Sequence, residues 1–192
     1  MGLSIMILGL AIFIGVHLVT VMRERRAGLV AQLGENGYKI VYSLLSAVGL
    51  ALIVYGFARY RAGEWVEIWS PSNWTKHLAA LLVLFAMIMA VSAYARGHIY
   101  ERLKHPLLAA TKLWALAHLI ANGDLGSIIL FGSILGWAVV DRISLKRRTD
   151  PGAPPIPTGG WPRDVAAIIV GTLVYLALVY WFHPAVVGVS VM

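Results

Sequence analysis

The run KHPLLAATKLWALAHLIANGD, residues Lys104 to Asp124, has the apolar content of a membrane-spanning helix and also carries His105, Lys112 and His118. Ionisable side chains are costly in hydrocarbon, so one that lies within the membrane is a candidate functional residue. Imidazole is also the commonest protein ligand for metals. The run therefore predicts a helical membrane fold and, within it, a functional centre.

The composition of the whole chain also indicates a membrane protein. Of the 192 residues, 59% are hydrophobic and 13% are charged, which is more apolar than a soluble domain of this length. The absence of cysteine excludes disulfides, thiolate metal sites and cysteine nucleophiles. The net charge of +7 comes largely from short loops between apolar runs, a pattern of membrane topology and not of nucleic-acid binding.

Six apolar runs are long enough, or nearly so, to cross a hydrocarbon core of about 30 Å as helices. They are Gly2–Met22, Lys39–Ala58, His77–Ala95, Pro106–Ala121, Leu125–Val140 and Val165–Phe182. The sequence thus predicts an all-α, polytopic transmembrane bundle of about six helices, forming a single domain over residues 1–192. The fourth and fifth runs are joined only by Asn122-Gly123-Asp124, which predicts a helical hairpin. Gly132 and Gly136 form a GxxxG pair and predict close packing inside the bundle.

The basic residues predict the orientation of the bundle. They concentrate in the first, third and fifth loops, and the fourth loop has none. Loops enriched in Lys and Arg stay in the cytoplasm, so we expect both termini outside and a multi-pass protein of the bacterial inner (cytoplasmic) membrane. Residues 141–164 should form a cytoplasmic connector rich in Pro and Gly.

Two of the six histidines, His17 and His118, lie clearly inside predicted spans. Two imidazoles on different helices are what a haem with two axial histidines needs, and without a C-x-x-C-H motif such a haem would be noncovalent. His17 and His118 fall on opposite sides of the midplane, so the outer-half pair His77 and His118 is an alternative. His98 and His183 lie at span borders, where an imidazole is solvated. A membrane histidine can also serve only to hydrogen-bond a neighbouring helix, and that interpretation stays open.

Lys112, Trp114 and Asn122 are further candidates for a cofactor pocket. Trp114 and Asn122 are each four residues from His118 and share its face of the helix. Lys112 is turned from His118 by about 120° and shares the face of His105. It lies too deep to reach the interface easily, so we expect it to pair with a carboxylate, a carbonyl or an acid group of a ligand. The sequence selects none of the candidate carboxylates, which are Glu64, Glu67, Glu101, Asp124 and Asp141.

Several motifs together resemble the signature of NnrU-domain membrane proteins. The main one consists of His105-Pro106-Leu107-Leu108, the run from Lys112 to Leu119, and Ala121-Asn122-Gly123-Asp124. Two further matches support it. They are Gly15-Val16-His17, and Leu130-Phe131-Gly132 ahead of Trp137, Asp141 and Arg142. The resemblance covers nearly the whole chain.

This resemblance implies two functional associations. Bacterial members are linked to denitrification, the reduction of nitrite and nitric oxide, whereas a plant and cyanobacterial branch isomerises 15-cis-zeta-carotene with haem b. Carried over by position, the resemblance implies that His17 and His118 ligate the haem iron. The isomerase branch has a cysteine three residues before the second histidine. This chain has Ala115 there, a departure that bears on isomerase chemistry and leaves haem binding open.

Other interpretations remain open. One is a non-enzymatic accessory or assembly factor for a nitrite or nitric oxide reductase, with structural histidines. The His105-Pro106 pair also looks like a motif of isoprenylcysteine and phospholipid methyltransferases, although Leu108 replaces its aromatic residue. A standard secondary transporter is disfavoured because no inverted repeat is visible. The expected partners are the lipid bilayer, a lipophilic small molecule or a nitrogen-oxide reductase, and not nucleic acid.

Overall fold

A computed structural model describes residues 1–148, 158–189 and 191. The helices are α1 (Gly2–Val21), α2 (Arg23–Gly63), α3 (Asn73–Ala95), α4 (His98–Leu103), α5 (Pro106–Ala121), α6 (Leu125–Arg147) and α7 (Trp161–Ala177). α7 continues directly into a π-helical stretch, Leu178–Val187, called here the π segment. No β-strand occurs in these described ranges. The prediction of an all-α helical bundle is therefore confirmed.

Five of the described helices are long and apolar enough to cross a membrane: α1, α2, α3, α6, and α7 together with the π segment. α5 is apolar but shorter, with 16 residues and a length of about 24 Å. The side chains of Leu44, Val54 and Leu173 are exposed by 61%, 62% and 60%. Apolar surface on this scale is suited to lipid and not to water, so the chain is a membrane protein.

Each predicted span coincides with a helix, and the differences lie at the ends. α2 already begins at Arg23, so the predicted first loop is helical. Gly34 interrupts α2 with φ 72°, a conformation that favours glycine, and separates the basic residues 23–33 from the apolar part of the helix. α6 extends to Arg147 and α7 starts at Trp161, so the connector predicted for 141–164 narrows to residues 148–160. Within it, residues 149–157 lie outside the described residues.

The chain divides into two compact units. The first unit comprises Met1–Trp69 and Asp124–Arg147, and the second comprises Ser70–Gly123 and Arg148–Met192. In the first unit α1 packs against α2 and α6, and in the second α3 packs against α5 and α7. α5 and α6, which were predicted to form a hairpin, therefore belong to different units.

Glycines hold α1 and α2 of the first unit in close antiparallel contact. A Cβ on Gly9 would lie 2.6 Å from the backbone nitrogen of Ile53, and one on Gly56 would lie 2.3 Å from that of Met6. There is no room for a side chain at either position, so the two backbones touch, as in small-residue interfaces of membrane helices. The GxxxG prediction for Gly132 and Gly136 is wrong, because a Cβ on either would meet no atom within 4 Å.

The start of α1 is capped by Glu64, which follows the last residue of α2. The backbone N–H groups of Gly2 and Leu3 donate to its carboxylate oxygens at 2.7 and 3.2 Å, and the N-terminal ammonium group also donates. The first N–H groups of a helix have no partner within the helix, so the carboxylate satisfies them and interacts favourably with the helix dipole. The ammonium group, followed by the two backbone N–H groups, lowers the pKa of Glu64 to about 2.

Asp124 caps the start of α6 in the first unit. Its side chain is fully buried, and Oδ1 accepts a hydrogen bond from the backbone N–H of Ser127 at 2.9 Å. Beside it, the N–H of Leu125 donates to the carbonyl oxygen of Val66 at 2.9 Å. The hydroxyl of buried Tyr60 accepts from the N–H of Val66 at 3.1 Å. These bonds tie the start of α6 to the segment that follows α2.

In the second unit, a residue of α7 caps the short helix α4. The carboxylate of Asp164 accepts from the backbone N–H groups of His98 and Ile99 at 3.0 and 2.9 Å. Further along α7, a Cβ on Gly171 would lie 2.6 Å from the Cα of Ile88 in α3. α7 is thus joined to α4 by a cap and to α3 by close backbone packing.

Replacing Gly56 with alanine should destabilise the protein by about 1–3 kcal/mol, the usual cost of overpacking, because the new Cβ meets the backbone of α1. The expected result is a lower midpoint in thermal or SDS unfolding of the detergent-solubilised protein. Gly132→Ala is the matched control, since its Cβ faces open space. Equal midpoints for the two variants would contradict the close α1–α2 contact.

Replacing Glu64 with glutamine should lower the melting temperature at neutral pH. The pKa of Glu64 falls on folding from 4.5 to about 2, so its contribution is present above about pH 4.5 and is lost as the pH approaches 2. The difference in melting temperature between wild type and Glu64→Gln should therefore shrink on acidification. Glu67→Gln, at a nearby exposed position, is the control. A difference that does not change with pH would refute the capping role.

Candidate functional site

Two intramembrane histidines, His17 and His118, each make the same kind of local hydrogen bond. Nδ1 of His17 lies 2.7 Å from the carbonyl oxygen of Phe13, and Nδ1 of His118 lies 2.8 Å from that of Trp114. A carbonyl oxygen can only accept, so Nδ1 carries the proton in both rings. The lone pair then lies on Nε2. This is the arrangement of metal-ligating histidines, whose other ring nitrogen donates to a carbonyl or carboxylate.

His17 lies in an aromatic cluster of the first unit, formed with Phe13, Tyr42 and Trp137. The centroid of its ring is 4.2 Å from that of Phe13, 5.3 Å from Tyr42 and 5.2 Å from Trp137. Nε1 of Trp137 is buried and has no hydrogen-bond partner among the described residues. A buried donor without a partner calls for explanation, and a bound polar group that accepts from this N–H would explain it.

His118 lies on α5 in the second unit, where its neighbours hold the end of the helix. The centroids of the His118 and Trp114 rings are 4.8 Å apart. The side-chain amide of Asn122 donates to the carbonyl oxygen of His118 at 2.8 Å. Ala115 and Ala117, on the adjoining face, are fully buried. Trp114 and Asn122 therefore both lie next to His118, although Asn122 is the C-cap residue and lies just beyond the end of α5.

The structure also brings His183 close to His118, a proximity that was not predicted from the sequence. Their ring centroids are 6.5 Å apart, and the ring planes are inclined by 21°. Nδ1 of His183 lies 2.8 Å from the carbonyl oxygen of Leu178, five residues earlier in the π segment. Pro184, next in the chain, has no N–H for a helical hydrogen bond, which favours the wider coil.

His183 was expected to be a solvated border residue because the sixth span was predicted to end at Phe182. The membrane-length apolar helix continues to Val187, so His183 lies within it and is half-buried. Two signals in the sequence pointed this way. The residues after Pro184 are again apolar, and a His-Pro pair inside an apolar run indicates a local departure from the α-helix.

The remaining predicted pocket residues do not join this group. His77 is exposed near the start of α3 and makes no ring contact with His118 within the described part of the chain. His105 is the N-cap residue of α5 and lies roughly 20 Å from His118 along the helix axis, at 1.5 Å per residue. Lys112 is half-buried on α5 and forms no ion pair with any described residue.

Among the described residues, the histidines are not gathered into a cluster of the size that holds a bare metal ion. Among the residues described, no group of three or more His, Asp or Glu side chains is placed to hold a metal. A structural or catalytic metal ion needs at least three such ligands. Haem brings its own equatorial nitrogens, so one or two imidazoles are enough to hold its iron. The histidines present therefore fit haem.

The family model described as NnrU protein matches residues 5–191. The chain belongs to the NnrU family. In this NnrU chain the match includes His17, His118 and His183, so all three lie within the family's domain. No curated protein and no solved structure matches the chain significantly.

The tautomers of these histidines can be read directly by nitrogen-15 NMR of protein labelled at histidine. In ligand-free protein at neutral pH, His17, His118 and His183 should each be protonated at Nδ1, because each Nδ1 donates to a carbonyl of its own helix. Exposed His77 serves as the control and should show the mixture typical of a solvated imidazole. Protonation at Nε2 in His17 and His118 would rule out the ligand geometry described above.

Proposed function

We propose that this NnrU chain is an integral membrane protein that binds haem b within its helical bundle, with His118 as an axial ligand of the iron. The observation that carries the proposal is the 2.8 Å bond from Nδ1 of His118 to the carbonyl oxygen of Trp114. This bond fixes the ring on α5 and leaves the lone pair on Nε2. A haem iron takes such a nitrogen as its axial ligand.

The resemblance to haem-binding relatives also makes His17, in the first unit, a candidate haem ligand. Its Nδ1 makes the same bond, to the carbonyl oxygen of Phe13, and its ring is held among the aromatic residues of the first unit. The shared local geometry supports a ligand role for each histidine within its own unit.

Other residues of α5 would serve the bound group without touching the iron. The Trp114 ring packs at a tilt against the His118 ring, and Asn122 secures the end of the helix by its bond to the His118 carbonyl. Half-buried Lys112 supplies a cation on the same helix for a carboxylate such as a haem propionate. Bound haem would supply a redox-active iron with Lewis acidity.

The biological role proposed for this haem is in nitrite or nitric oxide metabolism at the bacterial inner membrane. Its basis is the resemblance to bacterial NnrU proteins associated with denitrification. Cis–trans isomerisation of a lipophilic polyene is the less favoured role. The residue three before His118 is Ala115, which is fully buried and has no thiol that could act as a ligand.

A second candidate function is a non-enzymatic accessory or assembly factor for a nitrite or nitric oxide reductase. One observation favours it: the Nδ1–carbonyl bond already satisfies each imidazole N–H inside its own helix. Such a histidine is stable in the membrane without any cofactor. Co-purification with a reductase by protein that contains no haem would support this function.

Detergent-purified wild-type protein, with added haemin if needed, should show the visible spectrum of a b-type haem near one per chain. His118→Ala should lose the haem or change its spectrum, since it removes an axial nitrogen. His77→Ala is the control and should retain the wild-type spectrum and haem content. The measurements are oxidised and dithionite-reduced spectra with a pyridine haemochrome assay.

Two outcomes would contradict the proposal. The first is wild-type protein that is folded, colourless and unable to take up added haemin, which would favour the accessory-factor function. The second is a His118→Ala variant whose haem content and spectrum equal those of His77→Ala.

A further inference from the structure

We propose that His183 is the axial ligand opposite His118, so that these two histidines of the second unit form the haem-binding pair. This inference rests on the proposed function, because it concerns how the haem is held. It assigns a ligand role to a residue to which neither the motif resemblance nor the family match assigns one. Four features of the second unit support it.

The first feature is the spacing of the two rings. Metal–imidazole bonds are about 2 Å long, so two imidazoles that bind one ion from opposite sides have centroids roughly 6–7 Å apart. The centroids of His118 and His183 are 6.5 Å apart. Two imidazoles joined directly by a hydrogen bond of about 2.9 Å would have centroids near 5 Å. The observed spacing is too long for a direct hydrogen bond and lies within the range for two imidazoles that bind one ion.

The second feature is the matched orientation of the rings. Nδ1 of His118 donates to Trp114 and Nδ1 of His183 donates to Leu178, in both cases at 2.8 Å. Each ring is thus fixed by its own helix, and each carries its lone pair on Nε2. Fixing both rings before the ligand arrives reduces the entropy lost on binding.

The third feature is the π segment itself. Most π-helical turns are single-turn bulges, and they occur frequently at functional sites. Here the π geometry covers ten residues and includes Pro184. It places the carbonyl oxygen of Leu178, five residues back, where Nδ1 of His183 can reach it. A ligand role for His183 would explain why the chain adopts this unusual π geometry.

The fourth feature is depth in the membrane. His118 lies three residues before the end of α5, and His183 lies four residues before the end of the π segment. In the predicted topology both of these ends face the outer side, so the two rings lie at similar depth. His17, by contrast, is close to the end of α1 that is predicted to be cytoplasmic. Two ligands of one iron must lie at similar depth, and His118 and His183 of the second unit meet that requirement.

The deciding experiment compares wild type, His183→Ala, His183→Met, His17→Ala and the control His77→Ala, each loaded with haem b in detergent. In His183→Ala the six-coordinate, low-spin spectrum should become five-coordinate and high-spin, and added imidazole should restore it. In His183→Met the reduction potential should rise, because a methionine ligand favours ferrous iron. A residue that only supports the fold would give neither the rescue nor the rise in potential.

A measurement on the wild type covers the case in which a His183 variant fails to fold. Two iron d orbitals of equal energy can interact with the π systems of the axial imidazoles. When the two imidazole planes are nearly parallel, both imidazoles act on the same one of these orbitals, so the two orbital energies become different. The 21° inclination of His118 and His183 therefore predicts a rhombic low-spin EPR signal for the ferric protein. A strongly axial signal, typical of perpendicular imidazoles, would overturn the pairing.

The outcomes separate this inference from the proposed function. Wild-type protein that takes up no haem overturns the proposed function itself. The His183 assignment is overturned if both His183 variants keep the wild-type spectrum and reduction potential while His17→Ala loses six-coordination. Haem binding by His118 would remain in place in that case.

Discussion

Inside a bilayer no water accepts a hydrogen bond from an imidazole N–H. This lack of a water acceptor governs the geometry of the three histidines that lie within the membrane helices. His17, His118 and His183 each donate from Nδ1 to a backbone carbonyl of their own helix. The carbonyl takes the proton that would otherwise be unsatisfied, and the same bond fixes the ring and selects the tautomer. The hydrogen bond that satisfies Nδ1–H in the membrane thus also leaves Nε2 of each ring unprotonated, which is the state that a metal or haem requires.

Packing in the two units follows from the same environment. Lipid chains are as apolar as leucine, so burying large apolar side chains between helices gains little, and close backbone contact gains more. Gly9 and Gly56 allow that contact between α1 and α2, and Gly171 allows it between α7 and α3. The large apolar side chains are left on the outside, where lipid covers them. The GxxxG pair of α6 is not used in this way, because packing depends on which face meets a neighbour and not on spacing alone.

The signature run of the family combines structural and chemical roles that the sequence presents together. Asn122 secures the end of α5 by its bond to the His118 carbonyl, and Asp124 caps the start of α6. His105 is the N-cap residue of α5, ahead of Pro106, and is far from His118. His118 contacts the ring of Trp114 and lies near the ring of His183. Most of the motif therefore specifies where helices begin and end.

The sequence by itself determined the fold class and the positions of the membrane helices, because a 20-residue apolar run in a bilayer has no alternative to a helix. It also determined that His17 and His118 lie inside helices, and that Trp114 and Asn122 flank His118, since these relations depend only on helical periodicity. It did not determine that α5 packs on α3 while α6 packs on α1. It also did not determine that close glycine contacts join α1 to α2, whereas the GxxxG pair of α6 makes none within the described residues. It also missed the pairing of His118 with His183, which depends on an irregular coil at Pro184 and on which helices meet. Those features were decided by tertiary structure, because they arise from contacts between residues far apart in the chain, and local periodicity carries no information about such contacts.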